Sequence, residues 1–403
     1  MNILVLGNGF DLAHDLPTSY RAFLDFTTVF KECLKKENDE DVDWVSGENL
    51  EMKQYLRILF DKKYDTAKVP EHEREAAKKI IAELDDLIRN NVWLKYFNKV
   101  QIKEGWIDFE SEISRIIQAL DGARQTIDEQ IQQGKDNAKM TQSQLNILSP
   151  IISRDGTLLR CDSIFFEPKA ITYRKKQLLD DLNRLIRCLE IYLCDYVGNI
   201  EIENKHPDIE GLPIIDKVLS FNYTNTYEKL YAKNPYVEYD YIHGRATIEN
   251  TVDSNNMVLG IDEYLKGAAR NENIEFIEFK KFFQRIHKET GCLYRNWVDA
   301  IESGEAISET IAIYKEQEKT VREIKQVNFH KVFFFGHSLD VTDKDVIRDM
   351  ILSDKVKTTI FYRDKADYGQ KITNLVKIIG QDELIKRTGG ANKSIYFKEI
   401  TKE

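Results

Sequence analysis

The sequence predicts an α/β protein with a Rossmann-like, mostly parallel sheet and large α-helical insertions. Short runs rich in β-branched and aromatic residues lie near both ends and the middle of the chain, and several end in Gly, Asn or His. Longer stretches between them carry apolar residues at helical spacing. The first run stops at paired glycines, Gly7 and Gly9. Buried strands of this kind are typical of a sheet whose carboxyl ends carry the functional site.

The chain has 403 residues, more than one compact core usually holds. Strands are predicted at residues 3–6, 214–221, 237–242, 257–259, 331–335, 358–362 and 394–397. They define a discontinuous α/β nucleotide-binding domain made of residues 1–32, 211–265 and 328–403. A helical insertion after the first strand fills residues 33–210, with helices expected over 73–96, 107–148 and 175–196. A second insertion after the fourth strand fills residues 266–327, a charged block without strand signals.

Amino-acid composition and charge limit the partners, metals and location that we expect for this chain. The chain is 42% hydrophobic and 31% charged, which is typical of a folded, helix-rich protein. Its formal charge of −10 gives no long-range attraction for nucleic acid, so we do not expect such a partner. The five cysteines form no CxxC pair or metal-finger spacing, so reduced thiols and no metal are expected. Without a signal peptide or an apolar stretch near the ~20 residues of a membrane span, a cytoplasmic location and no membrane partner are expected.

The glycine loop after the first strand predicts a nucleotide site. Paired glycines at Gly7-Asn8-Gly9 bring backbone N–H groups close to a bound group, most often a phosphate. The dinucleotide-binding fingerprint of dehydrogenases requires a third glycine where this chain has Leu12. It also requires an acidic residue at the end of a second strand about 20 positions further on, and this chain has none there. Hydride transfer is therefore not expected. The alternative to a nucleotide site is that the two glycines only allow a tight strand-to-helix turn and contact no ligand.

Four polar motifs follow predicted strands. They are residues 7–11 with Pro17 and Thr18, residues 221–225, residues 241–244 and residues 335–340. Because the carboxyl ends of parallel strands meet at one edge of a sheet, we expect these motifs to converge on one crevice.

These motifs carry a family resemblance. The stretch LGNGFDLAHDLPTSYRAFL resembles the opening of the bacterial AbiH family of abortive-infection, phage-resistance proteins. WIDFESEI, FNYTNTYEKLY, YIHG, VLGID and FFFGHSLDVTDKDVIRDMI resemble its later blocks, from end to end of the chain. The order of blocks is also similar to the sirtuin-like NAD-binding domains of several phage-defence NAD hydrolases. The resemblance implies an anti-phage effector that binds NAD and hydrolyses it to nicotinamide and ADP-ribose.

The resemblance also implies roles for individual residues. Gly7, Gly9 and Pro17 take the glycine-loop positions, Asn222 the catalytic asparagine and His243 the catalytic histidine, while Gly336, Ser338 and Asp340 take the adenosine-side loop. We add Asp11 to the catalytic set, and Asn8, Phe10, Thr224 and His337 to the nucleotide contacts.

The chain departs from the sirtuin-like pattern at several positions. Asp11 stands where many such chains carry serine, and Tyr20 where many carry Trp or Phe. Asp340 follows Ser338 by two positions, one fewer than in the pattern. A four-cysteine zinc module is absent from the sequence, which argues against a protein deacetylase.

The proposed chemistry also follows from the residue types. Cleaving nicotinamide from NAD releases a neutral ring, so no general acid is required. The site must hold the ribose, place a water molecule and stabilise positive charge on the sugar. Asn222 can hold a water or a ribose hydroxyl, His243 can accept a proton, and Asp11 can face the sugar cation.

Structural alternatives stay open at three positions. Asp11 could cap a turn or a helix that starts near Thr18, Asn222 could cap a helix over residues 224–231, and His243 could be a buried structural histidine.

Two other functions also stay open. One is a non-catalytic nucleotide sensor, and the other is a metal-dependent nuclease that uses Asp11, Asp108 and Glu110. The helical insertions are expected to mediate self-association into a homo-oligomer or to occlude the pocket. A phage-derived trigger is a further expected partner.

Overall fold

The computed structural model describes all residues except 37–48, 105–106, 136–139, 150, 152–167, 233, 305–306, 312–323, 392 and 402–403. The chain forms two compact units. An α/β unit comprises Met1–Leu16, Glu201–Gly244 and Thr290–Glu403, and a helical unit comprises Pro17–Ile200 and Arg245–Glu289. Residues 17–32 and 245–265, expected in the α/β domain, thus belong to the helical unit. Residues 201–210 and 290–327, expected in the insertions, belong to the α/β unit.

The strands and helices have the following bounds. The strands are β1 (Asn2–Leu6), β2 (Lys217–Ser220), β3 (Glu238–Tyr241), β4 (Ile307–Ile311), β5 (Ile324–Asn328), β6 (His330–Phe335), β7 (Val356–Tyr362) and β8 (Ile395–Glu399). The helices are α1 (Gly9–Leu12), α2 (Tyr20–Lys36), α3 (Leu50–Tyr64), α4 (Glu71–Ile88), α5 (Val92–Glu104), α6 (Phe109–Gln132), α7 (Gln142–Leu148), α8 (Pro168–Ile191), α9 (Pro207–Glu210), α10 (Thr226–Tyr231), α11 (Ala269–Glu272), α12 (Lys281–His287), α13 (Tyr294–Ser303), α14 (Lys344–Ile351), α15 (Lys365–Ile379) and α16 (Gln381–Thr388).

The α/β unit contains a six-stranded sheet in the order β3-β2-β1-β6-β7-β8. All five strand pairs are parallel. Numbered by their order along the chain, the six strands run 3-2-1-4-5-6, the doubly wound order in which the connections reverse direction beside the first strand. The α/β class and the Rossmann-like parallel sheet predicted from the sequence are confirmed. Ligands of such sheets bind at the carboxyl ends of the strands near this reversal, which here falls between β1 and β6.

The sheet is apolar on both faces. Along β1, Ile3 and Val5 belong to one buried cluster and Leu4 and Leu6 to the other. A strand buried on both faces has a continuous apolar sequence, which explains why this strand was predictable.

Two predictions, one for the segment before the second insertion and one for the insertion itself, are wrong. Residues 257–259 form no strand, although Met257, Val258 and Leu259 are buried. The N–H of Met257 donates to the side chain of Asn255 (2.8 Å) and that of Leu259 to Gln284 (3.1 Å), so side-chain partners replace a strand neighbour. In the charged block predicted to lack strands, β4 and β5 form an antiparallel pair.

The helical unit is subdivided more than its sequence pattern predicts. The helix expected over 73–96 is two helices, α4 and α5, because Asn90 has a φ of 59° and ends the first. The side chain of Asn91 then accepts hydrogen bonds from the N–H groups of Trp93 (3.1 Å) and Leu94 (3.2 Å), which starts the second. Within the described ranges, no helix combines the length and apolar character needed to cross a membrane.

Candidate functional site

The two glycine loops at the carboxyl ends of β1 and β6 pack directly against each other. The N–H of Gly9 donates to the carbonyl of Gly336 (2.8 Å), and that of Gly7 donates to Phe335 (3.1 Å). A Cβ on Gly9 would lie 2.8 Å from the Cα of Gly336, and Gly336 itself has a φ of +69°. Close approach of two backbones therefore accounts for glycine at these positions.

This packing bears on the predicted nucleotide contacts of the first loop. The N–H of Phe10 donates to the carbonyl of Gly7 (2.8 Å), so the amides of Gly7, Gly9 and Phe10 all have backbone acceptors. The side chain of Phe10 is buried among aromatic rings, whereas Asn8 is exposed just before α1. A ligand role for these four residues stays a prediction.

Asp11 on α1 is almost fully buried, with 1% of its surface exposed. Its Oδ2 accepts a hydrogen bond from the hydroxyl of Thr224 (2.6 Å), whereas its buried Oδ1 has no hydrogen-bond partner. Burial raises the pKa of this carboxyl from 3.8 to about 6, against the opposing hydrogen bonds of Thr224, Thr226 and Asn222. Asp11 caps no helix; it is an acid that can exchange a proton near neutral pH.

Asn222, after β2, meets Asp11 in the same cluster. It is 6% exposed and hydrogen-bonds to the Asp11 carboxyl, while its own Oδ1 is buried without a partner. Helix α10 begins at Thr226, preceded by Asn225, so Asn222 does not cap it. The structure thus brings two predicted catalytic residues together and leaves one acceptor oxygen on each unsatisfied.

These oxygens belong to residues that line a cavity, which we call the Asp11 pocket. Its empty volume is about 210 Å³. This figure includes space open to solvent, and the enclosed part has room for about one water molecule. A larger guest such as a ribose would therefore require the side chains that line the pocket to move. It is lined by Leu6, Phe10, Asp11, Val218, Ser220, Asn222, Thr224, Thr226, Tyr227, Tyr239 and Tyr241.

His243 lies in a second group, which we call the His–Asp–His cluster: His243, Asp343 and His337. The Nε2 atom of His243 lies 3.4 Å from Oδ1 of Asp343, and the Nε2 atom of His337 lies 3.7 Å from Oδ2. Both histidines are about 5% exposed. The ring of Phe221 packs on both imidazoles, with centroids 5.6 Å from His243 and 4.2 Å from His337.

Residues 221–223 join the two groups. Phe221 and Tyr223 contact the ring of His243, whereas Asn222 between them hydrogen-bonds to Asp11. Among the described residues, the wall of the Asp11 pocket includes Asn222 but not His243. The sequence predicted one constellation, and the structure has two that share this segment.

The other predicted contacts lie around these groups. Ser338 and Asp340 are exposed. The side chain of Asp340 caps the short turn over 341–343 by accepting a hydrogen bond from the N–H of Thr342 (3.0 Å). Pro17 belongs to the helical unit, where its carbonyl accepts a hydrogen bond from Tyr192.

Asp343 is not among the site residues predicted from the sequence. The available signal was its position three residues after Asp340, at the end of the GHSLD motif and just before α14. An acidic residue at this position is typical of a helix cap, and only the folded structure shows that two histidines lie next to it.

The carboxylates considered for a nuclease have structural partners in the helical unit. Asp108 caps α6, accepting from the N–H of Glu110 (3.1 Å) and the hydroxyl of Ser111 (2.6 Å). Glu110 pairs with Lys281 at 2.7 Å. A search of the described residues found no group of three or more His, Cys, Asp or Glu side chains placed to hold a metal ion.

Comparison with known protein families identifies a matching family. The family model described as "Bacteriophage abortive infection AbiH" matches residues 3–363. Searches of curated proteins and of solved structures returned no match.

Proposed function

This chain belongs to the bacteriophage abortive infection AbiH family, and we propose that it acts in phage defence by binding NAD at the Asp11 pocket and hydrolysing its N-glycosidic bond. A sirtuin-like character of the sheet unit is part of this proposal. So are a cytoplasmic location, a phage-derived trigger and self-association through the helical insertions.

One observation carries the proposal: the buried Oδ1 atoms of Asp11 and Asn222 both lack a donor in one small pocket. A buried acceptor without a partner costs about 1–3 kcal/mol, so the pocket favours a guest that presents two donors. A ribose has neighbouring hydroxyls that supply them. The position at the carboxyl edge of a doubly wound sheet, where nucleotides bind, supports the same guest.

The residues also suit the reaction. The bond between C1′ of the ribose and the ring nitrogen breaks, and its electron pair stays on the nitrogen, which leaves nicotinamide neutral. The oxygen of a water molecule bonds to C1′, giving ADP-ribose and one proton. Ionised Asp11 would stabilise positive charge on the sugar, Asn222 would hold a ribose hydroxyl, and His243 or Asp11 would take the proton. Gly336, His337, Ser338 and Asp340 are proposed contacts of the adenosine side.

A non-catalytic nucleotide sensor is the second candidate. Two observations favour it: the pocket is too small for a dinucleotide, and the amides of Gly7 and Gly9 already have backbone acceptors. A sensor would be stabilised by NAD without consuming it.

The test is incubation of the purified 403-residue chain with NAD, with nicotinamide and ADP-ribose measured by mass spectrometry. We expect release by the unmodified protein and loss of release in Asn222→Ala. Asn225→Ala, three residues away and without a side-chain cap bond, is the matched control and should keep activity. Thermal stabilisation by NAD without products would favour the sensor. Neither stabilisation nor products, with and without phage lysate, would contradict both candidates.

A further inference from the structure

In the His–Asp–His cluster, the proposed reaction assigns no role to Asp343. We infer that Asp343 is the positioning residue for His243, and that His337 holds the Asp343 carboxylate from the opposite oxygen. This inference rests on the proposed function, in which His243 accepts a proton.

The two histidines come from strands that are not neighbours. His243 follows β3 and His337 follows β6, and β2 and β1 lie between those strands in the sheet. Neighbouring strands are about 4.8 Å apart, so β3 and β6 are separated by roughly 14 Å. Both imidazoles nevertheless reach one carboxylate, at 3.4 and 3.7 Å. Asp343 therefore links the carboxyl ends of two distant strands.

The orientation of His337 follows from its hydrogen bonds. The N–H of Leu339 donates to Nδ1 of His337 (2.9 Å), so Nδ1 is an acceptor and the neutral ring carries its proton on Nε2. This Nε2–H lies on the side of Asp343. The carbonyl of His337 accepts a hydrogen bond from Lys371 (2.6 Å), which fixes the loop at this point. His337 is thus built to donate towards the carboxylate.

The backbone around Asp343 is equally constrained. Its N–H donates to the carbonyl of Asp340 (3.2 Å), and the Asp340 side chain caps the same turn. Asn374 on α15 donates to the carbonyl of Ser338 (3.0 Å), which ties the loop to the helix. The exposed Asp340 therefore serves the placement of the buried Asp343.

A carboxylate facing one ring nitrogen selects the tautomer of a histidine. With ionised Asp343 at Nε2, the proton of neutral His243 stays on Nε2, and Nδ1 is the nitrogen that accepts a further proton. Without the carboxylate, the ring loses the partner that holds its Nε2 proton. Because general base catalysis contributes 10²–10⁴-fold, loss of this orientation should reduce kcat by roughly 10²-fold with little change in KM.

The test compares Asp343→Asn with Asp345→Asn in the 403-residue chain. Asn is also a good helix cap, so α14 should form, and exposed Asp345 is the matched control. Imidazole ¹⁵N spectra should show His243 leaving the Nε2–H tautomer in Asp343→Asn only, whereas His337 should keep it because the N–H of Leu339 still donates to its Nδ1. An unchanged His243 spectrum would overturn the inference, as would a kcat within twofold of the unmodified protein.

Two further measurements distinguish a failure of this inference from a failure of the proposed function. If the unmodified chain releases no nicotinamide, the proposed function fails, while the spectra still test whether Asp343 sets the tautomer of His243. If Asp343→Asn does not fold, His337→Gln removes the second anchor and should shift the signals of His243 alone. Unchanged His243 signals in that variant would overturn the inference.

Discussion

Replacing Asp11 by Asn should make the protein more stable at neutral pH. The pKa of this carboxyl is about 6 in the folded protein and 3.8 without burial. One pKa unit corresponds to about 1.4 kcal/mol, so ionised Asp11 costs the fold about 3 kcal/mol. In Asp11→Asn, the new amide oxygen can keep the hydrogen bond from Thr224, while the buried charge is removed.

The pH dependence has a definite sign. Because the pKa is higher in the folded state than in the unfolded state, the folded protein holds this proton more tightly between pH 3.8 and about 6. The contribution of Asp11 to the free energy of unfolding therefore falls as the pH rises through this window. The gain from Asp11→Asn should be about 1.5 kcal/mol at pH 5 and about 3 kcal/mol at pH 7.5.

Urea denaturation of both proteins at these two pH values measures the gain. Asp15→Asn is the control: Asp15 is exposed four residues further on and should change the free energy of unfolding by less than about 0.5 kcal/mol at either pH. A variant at Asp11 that is no more stable than the parent at pH 7.5, or a gain that does not grow with pH, would refute the reasoning about the pocket.

Three other substitutions test neighbouring parts of the account. Gly9→Ala should lower the free energy of unfolding by about 1–3 kcal/mol or more, because its Cβ would overlap the second glycine loop; urea denaturation measures the loss. Thr224→Val removes a hydrogen bond to Asp11 and should raise the pKa of that carboxyl above its present value, as followed by ¹³C NMR titration. Arg187→Met leaves the fully buried Glu190 without its ion-pair partner (2.7 Å) and should cost about 3–5 kcal/mol in urea denaturation.

Each of these has a matched control. Gly369→Ala lies within α15 with no atom near the new Cβ and should stabilise the protein by about 0.5–1 kcal/mol; a loss equal to that of Gly9→Ala would remove the packing argument. Thr373→Val, whose hydroxyl bonds only to its own helix, should leave the titration of Asp11 unchanged. Lys78→Ala breaks an exposed ion pair and should cost less than about 1 kcal/mol.

The sheet was largely predictable because its central strands, β1 and β6, are buried on both faces. Apolar runs identified β1, β2, β3, β6, β7 and β8 to within a few residues. The run at 257–259 has the same composition but is buried as coil, because Asn255 and Gln284 bind its amides. An apolar composition therefore indicates that a segment is buried. Whether the buried segment pairs with a strand depends on residues that are distant in the sequence.

The candidate site was predictable residue by residue but not as an arrangement. Asp11, Asn222 and His243 follow strand ends, which the sequence pattern located. Their division into two groups depends on how residues 221–223 direct alternate side chains, which a sequence does not reveal. The glycine loops show the same limit: the first loop needs glycine because Gly336, more than 300 positions away, packs against it.

The most direct test of the account is the pH profile of nicotinamide release from NAD by the purified protein. Ionised Asp11 is proposed to stabilise the sugar cation, and burial raises its pKa to about 6. The account predicts that kcat/KM rises about tenfold between pH 5 and 7, and that Asp11→Asn abolishes release across this range. Release that is independent of pH, or that persists at the parent rate in Asp11→Asn, would contradict it.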